Sequence, residues 1–101
     1  MLNVRDLYHH QEEYAGQEVT VGGWVRSIRD SKTFGFMVLS DGTFFEPLQV
    51  VYGDKLDNFA AISKLNVGSA VIVTGVVTLT PQAKQPFELN ADSVEILGDC
   101  P

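Results

Sequence analysis

Gly22 to Val51 reads GGWVRSIRDSKTFGFMVLSDGTFFEPLQVV, and the fold follows from how this stretch can be paired. A glycine pair, Gly22-Gly23, interrupts an apolar segment that runs into three cations, Arg26, Arg29 and Lys32. An aromatic segment with Phe34 and Phe36 follows, then Asp41-Gly42, then Leu48-Gln49-Val50-Val51. Apolar alternation punctuated by Gly and Asp predicts three strands: Val19 to Ile28, Gly35 to Ser40 and Pro47 to Tyr52. Ser40-Asp41-Gly42-Thr43 is a hairpin signal, and Phe44-Phe45-Glu46-Pro47 makes the connection longer than a tight turn needs. Pro47 has no N–H to give a ladder, so it belongs at a strand start or on an edge. The glycine pair lets the first strand coil sharply enough to serve both sides of a small barrel. Aromatic rings and cations on an exposed strand face suit single-stranded nucleic acid, which offers unstacked bases and a charged backbone.

Before this stretch, Asn3 is placed to cap a helix from Val4 to His10, with Asp6 in its first turn. Val4, Leu7 and Tyr8 would face the body, and Tyr14-Ala15-Gly16-Gln17 reads as a turn. After it, Leu56, Phe59, Ala60, Ile62 and Leu65 share one helical face, predicting a helix from Asp54 to Leu65 that Asn66-Val67-Gly68 ends. Ala70 to Thr80 is a long Val/Ile/Thr strand with a central glycine, Gly75. Pro81 to Pro86 is a loop, and a last strand runs from Phe87 to Leu97. The order β-β-β-α-β-β is that of an all-β OB-fold: a five-stranded Greek-key barrel with a helix between strands three and four, here preceded by a short N-terminal helix.

The 101 residues, 45% of them hydrophobic, suffice for a single domain spanning 1–101 with one core. No apolar run is long enough to span a bilayer and the N-terminus lacks a signal-peptide core, so a cytoplasmic protein without a membrane partner is expected. Cys100 is the only cysteine, which excludes disulfides and thiolate clusters within the chain. Gly98-Asp99-Cys100-Pro101 reads as a domain end. A net charge of −6 argues against a protein that coats nucleic acid by charge alone. Locally the balance reverses: Arg26, Arg29 and Lys32 against Asp30 leave a net +2 in one short segment. A small basic patch on an acidic body suits a limited, directed contact.

Strand parity nominates the contact surface. With Met37 and Leu39 inward, Phe36 faces out; with Leu48 and Val50 inward, so does Gln49; with Phe87, Leu89 and Ala91 inward, so do Glu88 and Asn90. Phe36 would be a stacking plate, Gln49 and Glu88 readers of base edges, and Arg26, Arg29 and Lys32 contacts for phosphate. Each has a plainer alternative. Phe36 shares parity with Phe34 and Val38 and so fits a second core side under the helix. Gln49 fits a solvated strand position, Glu88 a guard against edge pairing, and the three cations a solvated loop. Trp24 is expected in the core or at its margin. Adjacent His9 and His10 point to different sides of a helix and cannot chelate one metal together. No nucleophile elbow, zincin motif or phosphate loop occurs, so neither catalytic nor cofactor-binding residues are assigned.

VTVGGWVRSIRDSKTFGFMVLSDGTFFEPLQVV, SAVIVTGVV and PFELNADSVEILG, in that order, resemble the N-terminal anticodon-binding domain of the class IIb aminoacyl-tRNA synthetases, the aspartate, asparagine and lysine enzymes. The resemblance covers Val4 to Gly98, and the enlarged SDGTFFEPLQVV connection is most similar to the asparagine branch of bacteria. It implies that Phe36 stacks on the central anticodon uridine, that Gln49 and Glu88 contact anticodon bases, and that Arg29 binds the backbone. The partner it implies is the anticodon loop of tRNA(Asn), in a homodimeric parent ligase that uses ATP and magnesium. No class II catalytic motif lies in these 101 residues, so this chain alone is expected to bind without catalysing. The central uridine is common to all three anticodons, so Phe36 does not separate them. The alternatives are an aspartate-branch domain, a free-standing single-stranded nucleic-acid binder, and a protein-binding module using Phe34 and Phe36 as an apolar patch.

Overall fold

In the computed structural model, which describes residues 1–98, thirteen residues, Glu18–Asp30, form a first strand, β1, long enough to pair along two different neighbours. Its first half, Glu18 to Trp24, runs against β4 (Ala70–Leu79), and its second half, Trp24 to Asp30, against β2 (Phe34–Ser40). With β3 (Leu48–Gly53) and β5 (Phe87–Gly98) the strands close into a barrel in the order β1-β2-β3-β5-β4. Every pairing is antiparallel except β3 with β5. This is the five-stranded OB-type barrel expected from the strand order. Cys100 and the domain end at Asp99 to Pro101 lie outside the described residues.

Two glycines sit where the barrel turns its corners. Trp24 pairs with both Ser40 and Ala70, so the backbone beside it is crowded from two sides. A Cβ on Gly23 would overlap the Ser40 carbonyl oxygen, and one on Gly75 the Asn90 carbonyl oxygen. Gly75 lies at a register shift between Thr74↔Ser93 and Gly75↔Ala91. Both positions need hydrogen in place of a side chain so that neighbouring backbones can approach.

Alternate residues fill the interior. Val21, Val25, Met37, Leu39, Leu48 and Val50 are wholly buried, as are Val71, Val73, Phe87 and Leu89 at or below 1% exposure. Burying each such side chain stabilises the fold by about 1.5–3 kcal/mol. At the end where β3 and β5 begin, α1 (Val4–His9) buries Val4 and Leu7. Its cap is as expected: the Asp6 N–H donates to Asn3 Oδ1 at 2.8 Å. The helix stops one residue short of His10, and a four-residue turn of helix, α2 (Gln11–Tyr14), follows where no element was expected. The turn after it is present, with the Gln17 N–H donating to the Tyr14 carbonyl at 2.9 Å and Gly16 at φ +80°.

The helix between β3 and β4 needs correction. It was expected over Asp54 to Leu65, but α3 comprises only Phe59–Ser63. Before it the chain makes tight turns, with the Leu56 N–H donating to the Gly53 carbonyl and the Phe59 N–H to the Leu56 carbonyl. Asp54, Asp57 and Asn58 are poor helix formers. Asn58 instead spends its amide on the Val94 carbonyl, 2.8 Å away on β5. The apolar face survives in part: Leu56, Ile62 and Leu65 are buried while Ala60 is exposed. Phe59 packs on Tyr52 at 5.6 Å, so α3 covers the end where β3 finishes. Among the described residues no helix is long and apolar enough to cross a membrane.

Trp24 is a second correction. It is 42% exposed, because Val25 takes the inward direction and leaves its neighbour outside. Its ring lies over the turn at Gly42, where an added Cβ would come within 3.4 Å of it, and it shares a surface depression with Met1, Ile72 and Leu97.

Candidate nucleic-acid interface

The outer wall formed by β1, β2, β3 and β5 collects the nominated side chains in two rows. In the first, Arg29 stands opposite Phe36, Phe36 opposite Val51, and Val51 opposite Asn90. In the second, Ser27 stands opposite Val38 and Val38 opposite Gln49. Gln49 Nε2 then donates across to Glu88 Oε2 at 3.5 Å, a long contact that leaves both groups open to stronger partners. Thr78 pairs with Glu88 at the far side, and Asn90 Nδ2 donates to Thr78 Oγ1 at 2.7 Å.

Phe36 is half-buried and faces away from the core that holds Met37. It is thus not the second-side core residue that its parity with Phe34 and Val38 allowed. Phe34, 42% exposed, meets it edge-on at 5.5 Å and 86°. That contact braces the ring of Phe36 and leaves the outer wall with an aromatic plate.

Arg29 reaches this wall through a bulge. Val25 pairs with Leu39 and Ser27 with Val38, so Arg26 is the extra residue with no partner in the ladder. Inward residues before it are odd-numbered, Val19, Val21 and Val25; after it Ile28 pairs with buried Met37. Without the bulge Arg29 would share the inward side of Val25. Lys32 lies beyond the strand, in the exposed turn to β2. The three cations therefore follow one margin of the wall, with only Arg29 in the row of Phe36. Among the described residues the ion pair Lys55–Asp92 and the His10–Glu13 contact involve none of them.

A cavity of about 380 Å³ continues the wall toward the β2–β3 connection. Val38 and Gln49 line it together with Tyr8, Glu46, Lys84 and Gln85. Tyr8 closes its floor: the hydroxyl donates to the Pro47 carbonyl at 2.6 Å. Burial, reinforced by the Glu46 carboxylate, raises the Tyr8 pKa above its ordinary value of 10.0, so the hydroxyl remains a donor at neutral pH. Val38 and Val51 belong to the wall by the same alternation that nominates Gln49. Lys84 had no comparable signal, since it sits in a loop without periodicity.

The wall can therefore stack a planar ring on Phe36, exchange hydrogen bonds at Gln49, Glu88 and Asn90, and hold negative charge along β1. Residues 19–97 match the tRNA anti-codon family, an OB-fold nucleic acid binding domain. The chain is 50% identical over 96 residues to the asparagine–tRNA ligase of Alkaliphilus oremlandii, covering 95% of the chain and 21% of the relative. It is 54% identical over 96 residues to that of Acetivibrio thermocellus, covering 94% and 21%. Among solved structures it resembles asparaginyl-tRNA synthetase from Pyrococcus horikoshii complexed with asparaginyl-adenylate. That match has a TM-score of 0.77 at 25% identity and covers 87% of this chain and 20% of that one. The chain thus spans about a fifth of the length of the relatives it matches.

Proposed function

Because the chain belongs to the tRNA anti-codon family of OB-fold nucleic acid binding domains, we propose that it is the anticodon-binding domain of an asparagine–tRNA ligase. Its partner is the anticodon loop of tRNA(Asn), splayed over the wall of β1, β2, β3 and β5. One observation carries this: the strand register gathers Arg29, Phe36 and Gln49 on one outward surface, and Gln49 touches Glu88. Phe36 takes the central base on its π-face, an interaction open to any base. Gln49 offers both a donor and an acceptor, while Glu88 accepts from exocyclic amino groups and repels phosphate. Arg29, with Arg26 and Lys32 beside it, neutralises phosphates and sets the strand's path.

ATP and magnesium serve the catalytic part of such a ligase. The described residues of this chain contain no group of three His, Cys, Asp or Glu side chains able to hold a metal ion, so none is assigned to magnesium. The ligase would act as a cytoplasmic homodimer, with this domain binding and the remaining four-fifths catalysing.

Filter binding of the chain to a tRNA(Asn) anticodon stem-loop, a loop of scrambled anticodon and oligo-dT tests the proposal. The expected order is cognate loop, then scrambled loop, then oligo-dT. Equal retention of all three would replace it with a general single-strand binder.

A further inference from the structure

We propose that Phe45 is a second stacking plate, for a loop nucleotide just outside the anticodon triplet; this rests on the anticodon-loop proposal above. Phe45 is 82% exposed, yet its ring is not loosely hung. It lies 4.5 Å from Phe44, which stacks on Tyr8 at 4.7 Å, and Tyr8 meets the buried Phe87 edge-on at 4.9 Å. A ladder of four rings thus runs from the barrel core to solvent, and the last ring presents a face that no described residue covers.

The loop that carries it is held to α1 by its own hydrogen bonds. Asp41 Oδ2 accepts from the Val4 N–H at 2.9 Å, while Asp41 Oδ1 accepts from the Thr43 N–H and hydroxyl at 3.0 and 2.6 Å. Thr43 Oγ1 in turn accepts from the Arg5 N–H at 3.1 Å. A braced aromatic loses little freedom when a ligand lands on it, which is what makes an exposed ring useful for binding. For stability alone an outward phenylalanine contributes little.

Position and charge select the occupant. Val51 shares the row of Phe36, and Gln49 and Pro47 follow at two-residue steps, so the loop begins roughly 13–14 Å from that row. One base on Phe36 does not reach so far. The cavity lined by Val38, Gln49, Glu46, Pro47 and Lys84 lies between the row of Phe36 and the loop that carries Phe45. Glu46 disfavours phosphate there and Lys84 is the one cation lining it, so a base meets Phe45 while the backbone passes on the Lys84 side. The contact reads no sequence, because every base has a π-face.

The test is a coupling measurement with the whole chain and an anticodon stem-loop made abasic at one loop position at a time. Phe45→Ala should weaken the intact loop roughly ten- to a hundredfold with an unchanged Tm, and Phe45→Tyr should restore binding. One abasic position flanking the triplet should weaken wild type by a similar factor and cost the Phe45→Ala variant nothing further. Should Phe45→Ala melt, Phe45→Leu, which keeps an apolar side chain but lacks the π-face, takes its place in the same coupling measurement. Loss of binding with Phe36→Ala but none with Phe45→Ala, or coupling of Phe45 to a triplet base, overturns this inference and spares the anticodon proposal. No preference of wild type for the stem-loop overturns both.

Discussion

The inside and the outside of β2, β3 and β5 are built from alternate residues of the same segments, yet they are held to different standards. Inside, Met37, Leu39, Leu48, Val50, Phe87 and Leu89 are packed to completion, and each matters by its volume. Outside, Phe36, Gln49, Glu88 and Asn90 are half-covered; Asn90 is tied to Thr78 at 2.7 Å, but the 3.5 Å approach of Gln49 to Glu88 is slack. Their arrangement suits a partner better than it suits the barrel. Identical residue types on the two sides should accordingly fail in different assays.

The largest expected contrast is between two phenylalanines. Phe87→Ala, in the core, should lower stability by about 3–5 kcal/mol in a denaturant melt. Phe36→Ala should leave that melt nearly unchanged and cost about 1–3 kcal/mol of anticodon-loop affinity, with little change in base preference. If Phe36→Ala melts the domain as Phe87→Ala does, the two sides are one core.

A smaller effect separates recognition from grip on the outer wall itself. Glu88→Gln keeps the size, removes the charge and exchanges an acceptor for a donor. It should reorder single-base variants of the loop by about 1 kcal/mol while barely moving the best one. A uniform shift across all loops would reduce Glu88 to a general electrostatic role.

The smallest is Arg29→Ala, expected to weaken loops of different sequence alike and to lower the slope of log affinity against log salt by roughly 0.7, one single-strand phosphate's share. An unchanged slope would make Arg29 structural.

How much of this is legible in the sequence depends on where period two holds. β2, β3 and the first part of β5 alternate without interruption, so the inner face and the outward Phe36, Gln49 and Glu88 can be read directly. Bulges break the count. Arg29 enters the site through charge and resemblance, since parity continued from Val25 would have turned it inward; only the shift from odd Val25 to even Ile28 hints otherwise. Trp24 misleads because size suggests burial while its place beside Val25 dictates exposure. The overlong helix at Asp54 to Leu65 reflects apolar spacing that turns reproduce as well as a helix does, once Asn58 is tied to β5. Phe45 lies in a connection whose course is set by bonds to a distant segment, among them Asp41 to Val4, and Lys84 in a loop that Thr80 closes onto Gln85 and Pro86; neither arrangement shows as periodicity.

The unpaired residue at Arg26 does to side chains what a frameshift does to codons. Upstream of it β1 is spelled in one frame, with Val19, Val21 and Val25 inward, and downstream in the other, with Ile28 inward and Arg29 out. A substitution in β1 changes one letter, whereas deleting one residue there would respell everything up to Asp30, burying a cation and expelling an isoleucine. In this part of the chain length is therefore as much a specified quantity as composition, and the half of the strand that depends on it is the half in the candidate nucleic-acid wall.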